Sequence, residues 1–336
     1  MKTLLTITLL ILSNLYLLGQ EQDTVLEWLS FEETNKLFLE NQKPVMIFLY
    51  SENEEQSLKM QNETFGNPEV AKYINALFYP IKLDVFSKDT LQFFNGQYYI
   101  HEPKNKFHSL ASMLTADSVV YPALVVFDKY AQGNVFYGFK NRDSIFPILI
   151  YYYEELFKSV EYQEWESIYL KTYPPGQKQI ITSMKIHWLT IDEMKEQLLI
   201  KPKPILIDIY DNYSVSSTVM RLYTYNNAEI AKYLNEKFYC VNVNLRSEEE
   251  FELKGVTYKN SGPPFNYQQF AYAVLQGNLT FPAFVILDEE LNLLERIQIF
   301  LTPEKLDPII HFYGENIYKT QDYKSFLNNY SKLKTN

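Results

Sequence analysis

The sequence predicts an α/β protein built from two tandem copies of one domain, each a central mixed β-sheet flanked by helices. Three observations carry that expectation. Residues recur at a constant offset of 160 positions. Each copy orders its capping signals and apolar runs as helix, strand, helix, parallel strand, two antiparallel strands and a helix. The composition is that of an ordered chain, with 46% hydrophobic residues, 21% charged and only 10 Gly in 336 residues, enough for two domains that each bury a core.

The repeat is read directly from paired residues. Trp28-Leu29 and Trp188-Leu189, Lys43-Pro44 and Lys203-Pro204, Tyr50 and Tyr210, and Met60 and Met220 keep the offset. So do Glu69-Val70-Ala71-Lys72-Tyr73-Ile74-Asn75 and Glu229-Ile230-Ala231-Lys232-Tyr233-Leu234-Asn235, then Pro122-Ala123 and Pro282-Ala283. Near the end the register slips by one, pairing Pro147 with Pro308. A repeat of this length means two copies of one structural unit, with the clearest linker signal at Tyr173-Pro174-Pro175-Gly176. The expected boundaries are 20–172 for the first domain, 173–177 for the linker and 178–336 for the second domain.

Each element has a local cause. Ser30 with Glu33 and Thr190 with Glu193 are capping boxes, so a helix opens each copy. The apolar runs Pro44 to Tyr50 and Pro204 to Tyr210 read as strands buried on both faces. A helix follows to about Phe65 and Tyr225, and Asn67-Pro68-Glu69 starts another with an N-cap and a first-turn proline. Phe78 to Val85 and Phe238 to Leu245 form the second strand, and Ala123 to Phe127 and Ala283 to Leu287 the third. The fourth runs through Val135 to Phe139 and Leu294 to Ile299, before a terminal helix from about Ser144 or Pro303. Glu248-Glu249-Glu250, after Ser247, reads as the first turn of a helix on a solvated face.

Lys2 and the apolar stretch Leu4 to Leu18, followed by Gly19-Gln20-Glu21-Gln22, read as a signal peptide over 1–19, and so as an exported, periplasmic or extracellular protein. The stretch is short for a retained anchor, no cysteine follows it for lipidation, and Leu17 stands where a cleavage site prefers a small residue. No membrane span is expected after cleavage. The net charge of −10 argues against nucleic acid as a partner. The 28 Tyr and 23 Phe fit either an aromatic binding surface or a base-composition bias. The lone Cys240, in Phe238-Tyr239-Cys240-Val241, excludes an intramolecular disulfide and reads as a buried structural thiol.

The combined motifs resemble the exported thioredoxin-like family. The first copy supplies Lys43-Pro44, Tyr50, Met60, Thr64-Phe65, Val70-Ala71-Lys72-Tyr73-Ile74-Asn75, Phe107-His108-Ser109-Leu110-Ala111 and Tyr121-Pro122. The second supplies Lys203-Pro204, Tyr210, Met220, Thr224-Tyr225, Ile230-Ala231-Lys232-Tyr233-Leu234-Asn235 and Phe281-Pro282. The resemblance implies two tandem thioredoxin-like domains with Pro122 and Pro282 in cis. It also locates a departure: counting back from Met60 and Met220 puts the family's paired cysteines at Glu54 and Ser57, and at Ser214 and Ser217. Thiol-disulfide exchange needs a thiolate and a resolving thiol, which none of these side chains supplies. Helix capping is the simplest role for Glu54 and Ser214.

Other chemistry is thin. His101 and His108 have no partner ligands in the sequence, so neither metal nor cofactor is expected. Ser57 with His108 would be a nucleophile and base in principle, but the second copy has Gln268 at that place and no acidic orienter is evident. Two function classes remain: a redox-inactive module that binds a polypeptide or protein partner, and an enzyme or enzyme subunit whose activity does not use the missing cysteines. The resemblance implies a binding groove at Glu54, Ser57, Tyr121 and Pro122, and at Ser214, Ser217, Phe281 and Pro282, where an extended peptide pairs with the residue before the proline.

Overall fold

A computed structural model describes residues 25–94, 97–99, 106–176 and 183–334. The expected signal segment, His101 and Gln177 of the expected linker lie outside the described residues. The chain divides into two compact units, one ending at Leu149 and the other beginning at Ile150. The division falls inside a helix, ahead of the expected linker, so the residues from Ile150 through Gly176 group with the second unit.

In the first unit α1 (Phe31–Glu40) starts at a complete capping box, in which Ser30 Oγ accepts from Glu33 N and the Glu33 carboxylate accepts from Ser30 N. β1 (Val45–Tyr50) is buried at every position, which its unbroken apolar run requires. α2 (Glu55–Lys59) runs on into a π-helical turn at Met60–Thr64. Asn67 then caps α3 (Pro68–Leu77) by accepting from Glu69 N and Val70 N. β2 (Tyr79–Asp84), the hairpin β3 (Leu91–Phe93) and β4 (Gln97–Tyr99), α4 (Ser109–Leu114), β5 (Ala123–Phe127), β6 (Gly133–Tyr137) and α5 (Arg142–Tyr153) follow. The sheet order is β2-β1-β5-β6, with β1 parallel to β2 and antiparallel to β5, and β6 antiparallel to β5. Strand alternation sends Ile47, Leu49, Ile81 and Val125 to the face that packs with Phe31, Leu110 and Ala111. Phe48 points the other way, against Trp28 and Phe65 at ring distances of 6.1 and 4.9 Å.

The second unit holds α6 (Tyr162–Thr172) and then repeats the order. Its elements are β7 (Trp188–Leu189), α7 (Ile191–Ile200), β8 (Ile205–Tyr210), α8 (Val215–Val219) with a π-helical turn at Met220–Thr224, α9 (Ala228–Lys237) and β9 (Tyr239–Asn244). The hairpin β10 (Phe251–Leu253) and β11 (Val256–Tyr258), α10 (Gln269–Val274), β12 (Ala283–Leu287), β13 (Leu293–Ile297), α11 (Pro303–Gly314) and α12 (Tyr323–Lys334) complete it. The sheet order is β13-β12-β8-β9-β7, because Trp188 and Leu189 pair with Cys240 and Val241 as a fifth strand. In the first unit the equivalent contact is a single bridge from Leu29 to Ile81.

Two expectations are corrected. Glu248 to Glu250 form no helix: the segment runs extended into β10, with Glu249 N bonded to Ser247 Oγ and Glu249 O taken by the Gln268 amide. The fourth strands are also earlier than expected, at Gly133–Tyr137 and Leu293–Ile297, because Asp128 and Asp288 each accept two backbone N–H groups and close a tight turn.

Candidate functional site

The sheet registers bring the sequence-predicted residues to one end of each sheet. In the first unit Leu49 lies opposite Ala123, so the exit of β1 toward Glu54 and Ser57 adjoins the entry of β5 from Tyr121 and Pro122. Ile209 opposite Ala283 does the same for Ser214, Ser217, Phe281 and Pro282. The Tyr121-Pro122 and Phe281-Pro282 bonds are cis.

At the first helix start Glu54 is its own cap. Its carboxylate accepts from Gln56 N at 3.0 Å and Ser57 N at 2.6 Å, which satisfies orphan donors of the first turn. Partial burial is the largest single influence on this carboxyl and acts upward, yet its bonds to the Ser57 side chain and to the Gln56 and Ser57 backbones outweigh it and hold Glu54 below the usual carboxylate range. Ser57 is fully buried, its Oγ accepting from Ser51 N at 3.3 Å. Beside the proline, Tyr121 meets Phe86 at 5.8 Å and Phe107 at 6.2 Å, and those two rings are 5.4 Å apart. Phe86 keeps 37% of its surface exposed and Tyr121 is half-buried, so the trio presents an accessible aromatic face.

The second helix start is occupied. Ser214 Oγ accepts from Ser217 N at 3.1 Å, and the carboxylate of Glu154, which follows α5, sits on the same turn. It accepts from Val215 N at 2.8 Å, from Ser216 N at 2.9 Å, from Ser214 Oγ at 2.9 Å and from Ser216 Oγ. Burial pushes the Glu154 carboxyl up, against the bonds from Ser216, Val215 and Ser214 that favour its charged form. Sequence reasoning missed Glu154. Its repeat counterpart, Glu315, accepts from Tyr233 Oη at 3.3 Å instead, so nothing in the repeat distinguishes the two. Ser217 Oγ is buried with no hydrogen-bond partner among the described residues. The aromatic trio is replaced too: Arg246 stands at the place of Phe86, bonded to Asp211 Oδ2 at 3.1 Å and Asn266 O at 3.4 Å. Tyr267, at the place of Phe107, stacks on Tyr272 at 4.8 Å.

His108 is not a base for Ser57. It caps α4, its Nδ1 accepting from Leu110 N at 3.1 Å while Nε2 donates to Asp89 O at 3.0 Å. Gln268 repeats both bonds, with Oε1 toward Phe270 N and Nε2 to Glu249 O, so both residues tie the helix after the hairpin to the loop after the second strand.

Under the second helix, Asp208 replaces Phe48 of the first unit. Burial lifts its carboxyl to about 7, against the pull of Arg221 and Tyr225. Arg221 Nε lies 3.6 Å from Asp208 Oδ2, and its guanidinium lies 4.1 Å from the Tyr210 ring centre. Cys240 is buried on β9, and burial pushes its thiol well above the usual range. Among the described residues no group of three or more His, Cys, Asp or Glu is placed to hold a metal ion, and no helix is long and apolar enough to cross a membrane.

Both sheets thus run as a central strand with a parallel neighbour on one side and, on the other, an antiparallel neighbour that pairs antiparallel with the edge strand. Both units have the thioredoxin-like fold. Among solved structures, the tandem thioredoxin-like chain is similar to the DsbH oxidoreductase, with 16% identity and a TM-score of 0.29 over 41% of this chain and 90% of that one. It is similar to a thioredoxin-fold protein from Helicobacter pylori, at 14% and 0.33 over 49% and 99%. It is also similar to full-length ERdj5, at 12% and 0.28 over 90% of this chain and 34% of that one. No family model and no curated protein matches the chain.

Proposed function

We propose that this is an exported, redox-inactive tandem thioredoxin-like protein that binds extended, hydrophobic polypeptide, chiefly at the groove of its first unit. The observation that carries the reading is the accessible trio Phe86, Phe107 and Tyr121 beside Pro122. Aromatic side chains next to the end of a sheet supply apolar area to a bound strand, and the residue before the proline is where the resemblance puts the peptide backbone. Redox inactivity is supported by Glu54, Ser57, Ser214 and Ser217 at the positions of the family's sulfurs and by the burial of Cys240. Export is supported by Lys2 and the apolar stretch to Leu18.

In the second unit the carboxylate of Glu154 covers the turn at Ser214, which leaves Phe281 and Pro282 as the remaining surface for a peptide there. The test is the affinity of the protein for reduced, carboxymethylated α-lactalbumin, a permanently unfolded probe, measured by fluorescence anisotropy. Tyr121→Ala and Phe86→Ala are expected to weaken binding by about tenfold each, the scale of a modest aromatic anchor, and Phe281→Ala by less. Unchanged affinity in folded Tyr121→Ala and Phe86→Ala variants rejects the groove. Insulin reduction with a thiol donor is expected to run no faster with the protein than without it.

A further inference from the structure

We propose that the first unit carries a second binding site, a cavity for an uncharged, mainly aromatic small molecule between α1 and the β5–β6 edge of its sheet. The cavity has a volume of about 870 Å³, within the range of pockets that enclose a drug-sized ligand. It belongs to the face of the sheet that packs on α1, and none of Phe86, Phe107, Tyr121 and Pro122 lines it, so it is separate from the peptide groove.

The chemistry of the walls sets the class of ligand. Phe38, Phe93, Phe94 and Phe127 line it, with neighbouring rings 4.3 to 5.8 Å apart. None of the described lining residues is charged, and the amides of Gln42 and Gln92 offer both donors and acceptors to a neutral polar end. Met113, 47% exposed, lines the cavity as well and adapts readily to an aromatic guest. A carboxylate or ammonium ligand would enter without a partner for its charge.

The second unit indicates that the space is specific to the first. The turns before β6 and β13 have the same backbone, with φ of 62° at Ala131 and 64° at its counterpart Leu291. Leu291 packs against the core of its own unit, whereas Ala131 lines the open cavity. Lys254, the counterpart of Phe94, reaches Asn292 Oδ1 at 2.8 Å and ties hairpin to turn. The same fold therefore accommodates a leucine where the first unit keeps a methyl group and an open cavity.

The experiment is a titration of the protein with N-phenyl-1-naphthylamine, an uncharged aromatic dye that brightens in apolar surroundings. One saturable site per chain is expected, with Ala131→Leu weakening it by about tenfold while the thermal midpoint does not fall. The second unit already holds leucine at that backbone conformation; if Ala131→Leu nevertheless fails to fold, the exposed substitution Met113→Trp takes its place. The absence of saturable binding, or binding that survives the filling variant, overturns the proposal. Loss of dye binding in Tyr121→Ala would put the dye in the peptide groove and overturn it as well, whereas loss of unfolded α-lactalbumin binding in that variant leaves it intact.

Discussion

The two helix starts occupy equivalent places in equivalent folds, yet they are satisfied from different distances along the chain. In the first unit Glu54 bonds to the backbone two and three residues on. In the second unit Glu154 comes from about 60 residues upstream and takes four donors at once. Each helix start has N–H groups that need acceptors. A local cap leaves the neighbouring groove accessible, whereas a remote carboxylate covers it. The equivalent turn is thus exposed at Glu55 and Gln56 in the first unit and covered at Val215 and Ser216 in the second.

The segment that carries Glu154 is anchored by Trp165, which is fully buried against Phe300 at 5.5 Å. Trp165→Ala is expected to have the largest effect, lowering the stability of the second unit by about 3–5 kcal/mol, as other buried Trp truncations do. Hydrogen exchange should show lost protection from Ile150 onward and none in β1 and β2. Equal loss in both units would mean that the segment is not a part of the second unit's core.

Glu154→Ala is the next strongest expectation. Two backbone N–H groups and two hydroxyls lose their acceptor, which costs about 1–3 kcal/mol for partly buried donors, and denaturant unfolding of the second unit measures it. A binding gain for unfolded α-lactalbumin in this variant would show that the carboxylate occludes a usable groove.

The buried pair under the same helix adds a pH dependence. The folded-state pKa of Asp208, about 7, lies above the unfolded 3.8, so between those values the folded state holds a proton that the unfolded state has released. Stability is therefore fully present below 3.8 and is lost as pH rises through about 7. Asp208→Asn should flatten this limb and leave the second unit more stable than wild type at pH 8. The first unit, with Phe48 in that place, should lack the limb altogether. An unchanged limb in Asp208→Asn would assign it to another group.

How much of this was legible depended on range. The repeat, the capping boxes at Ser30 and Thr190 and the buried strands are local patterns, and they predicted both sheets. Three-residue hairpin strands such as Leu91–Phe93 are too short for a period-two signal, and the acidic run after Ser247 mimicked a helix start because only the tertiary partner Gln268 holds it extended. The capping role of Glu54 was readable from its position, whereas the role of Glu154 was not, since a contact across about 60 residues leaves no spacing to detect. The replacement of Phe48, Gln61 and Phe65 by Asp208, Arg221 and Tyr225 is written in the alignment of the two copies, but the approach of Arg221 to Asp208 becomes apparent only in three dimensions.

The smallest effect falls on the local cap. Glu54→Ala should lower the stability of the first unit by about 1 kcal/mol, the usual worth of an N-cap. The pH sense is opposite to that of Asp208. Glu54 is held below its ordinary 4.5, so its contribution is present above that value and is lost as pH falls through the lower folded-state pKa. Glu54→Gln keeps an acceptor for one of the two N–H groups but cannot ionise, so it should retain part of the cap and remove the acid limb. Hydrogen exchange at Gln56 and Ser57, followed from pH 7 down to pH 3 in the wild type and the two variants, separates the contributions. A wild-type acid limb that persists in Glu54→Gln would mean that these amides are protected by something other than the carboxylate, and the contrast between a local and a remote cap would then fail at its nearer end.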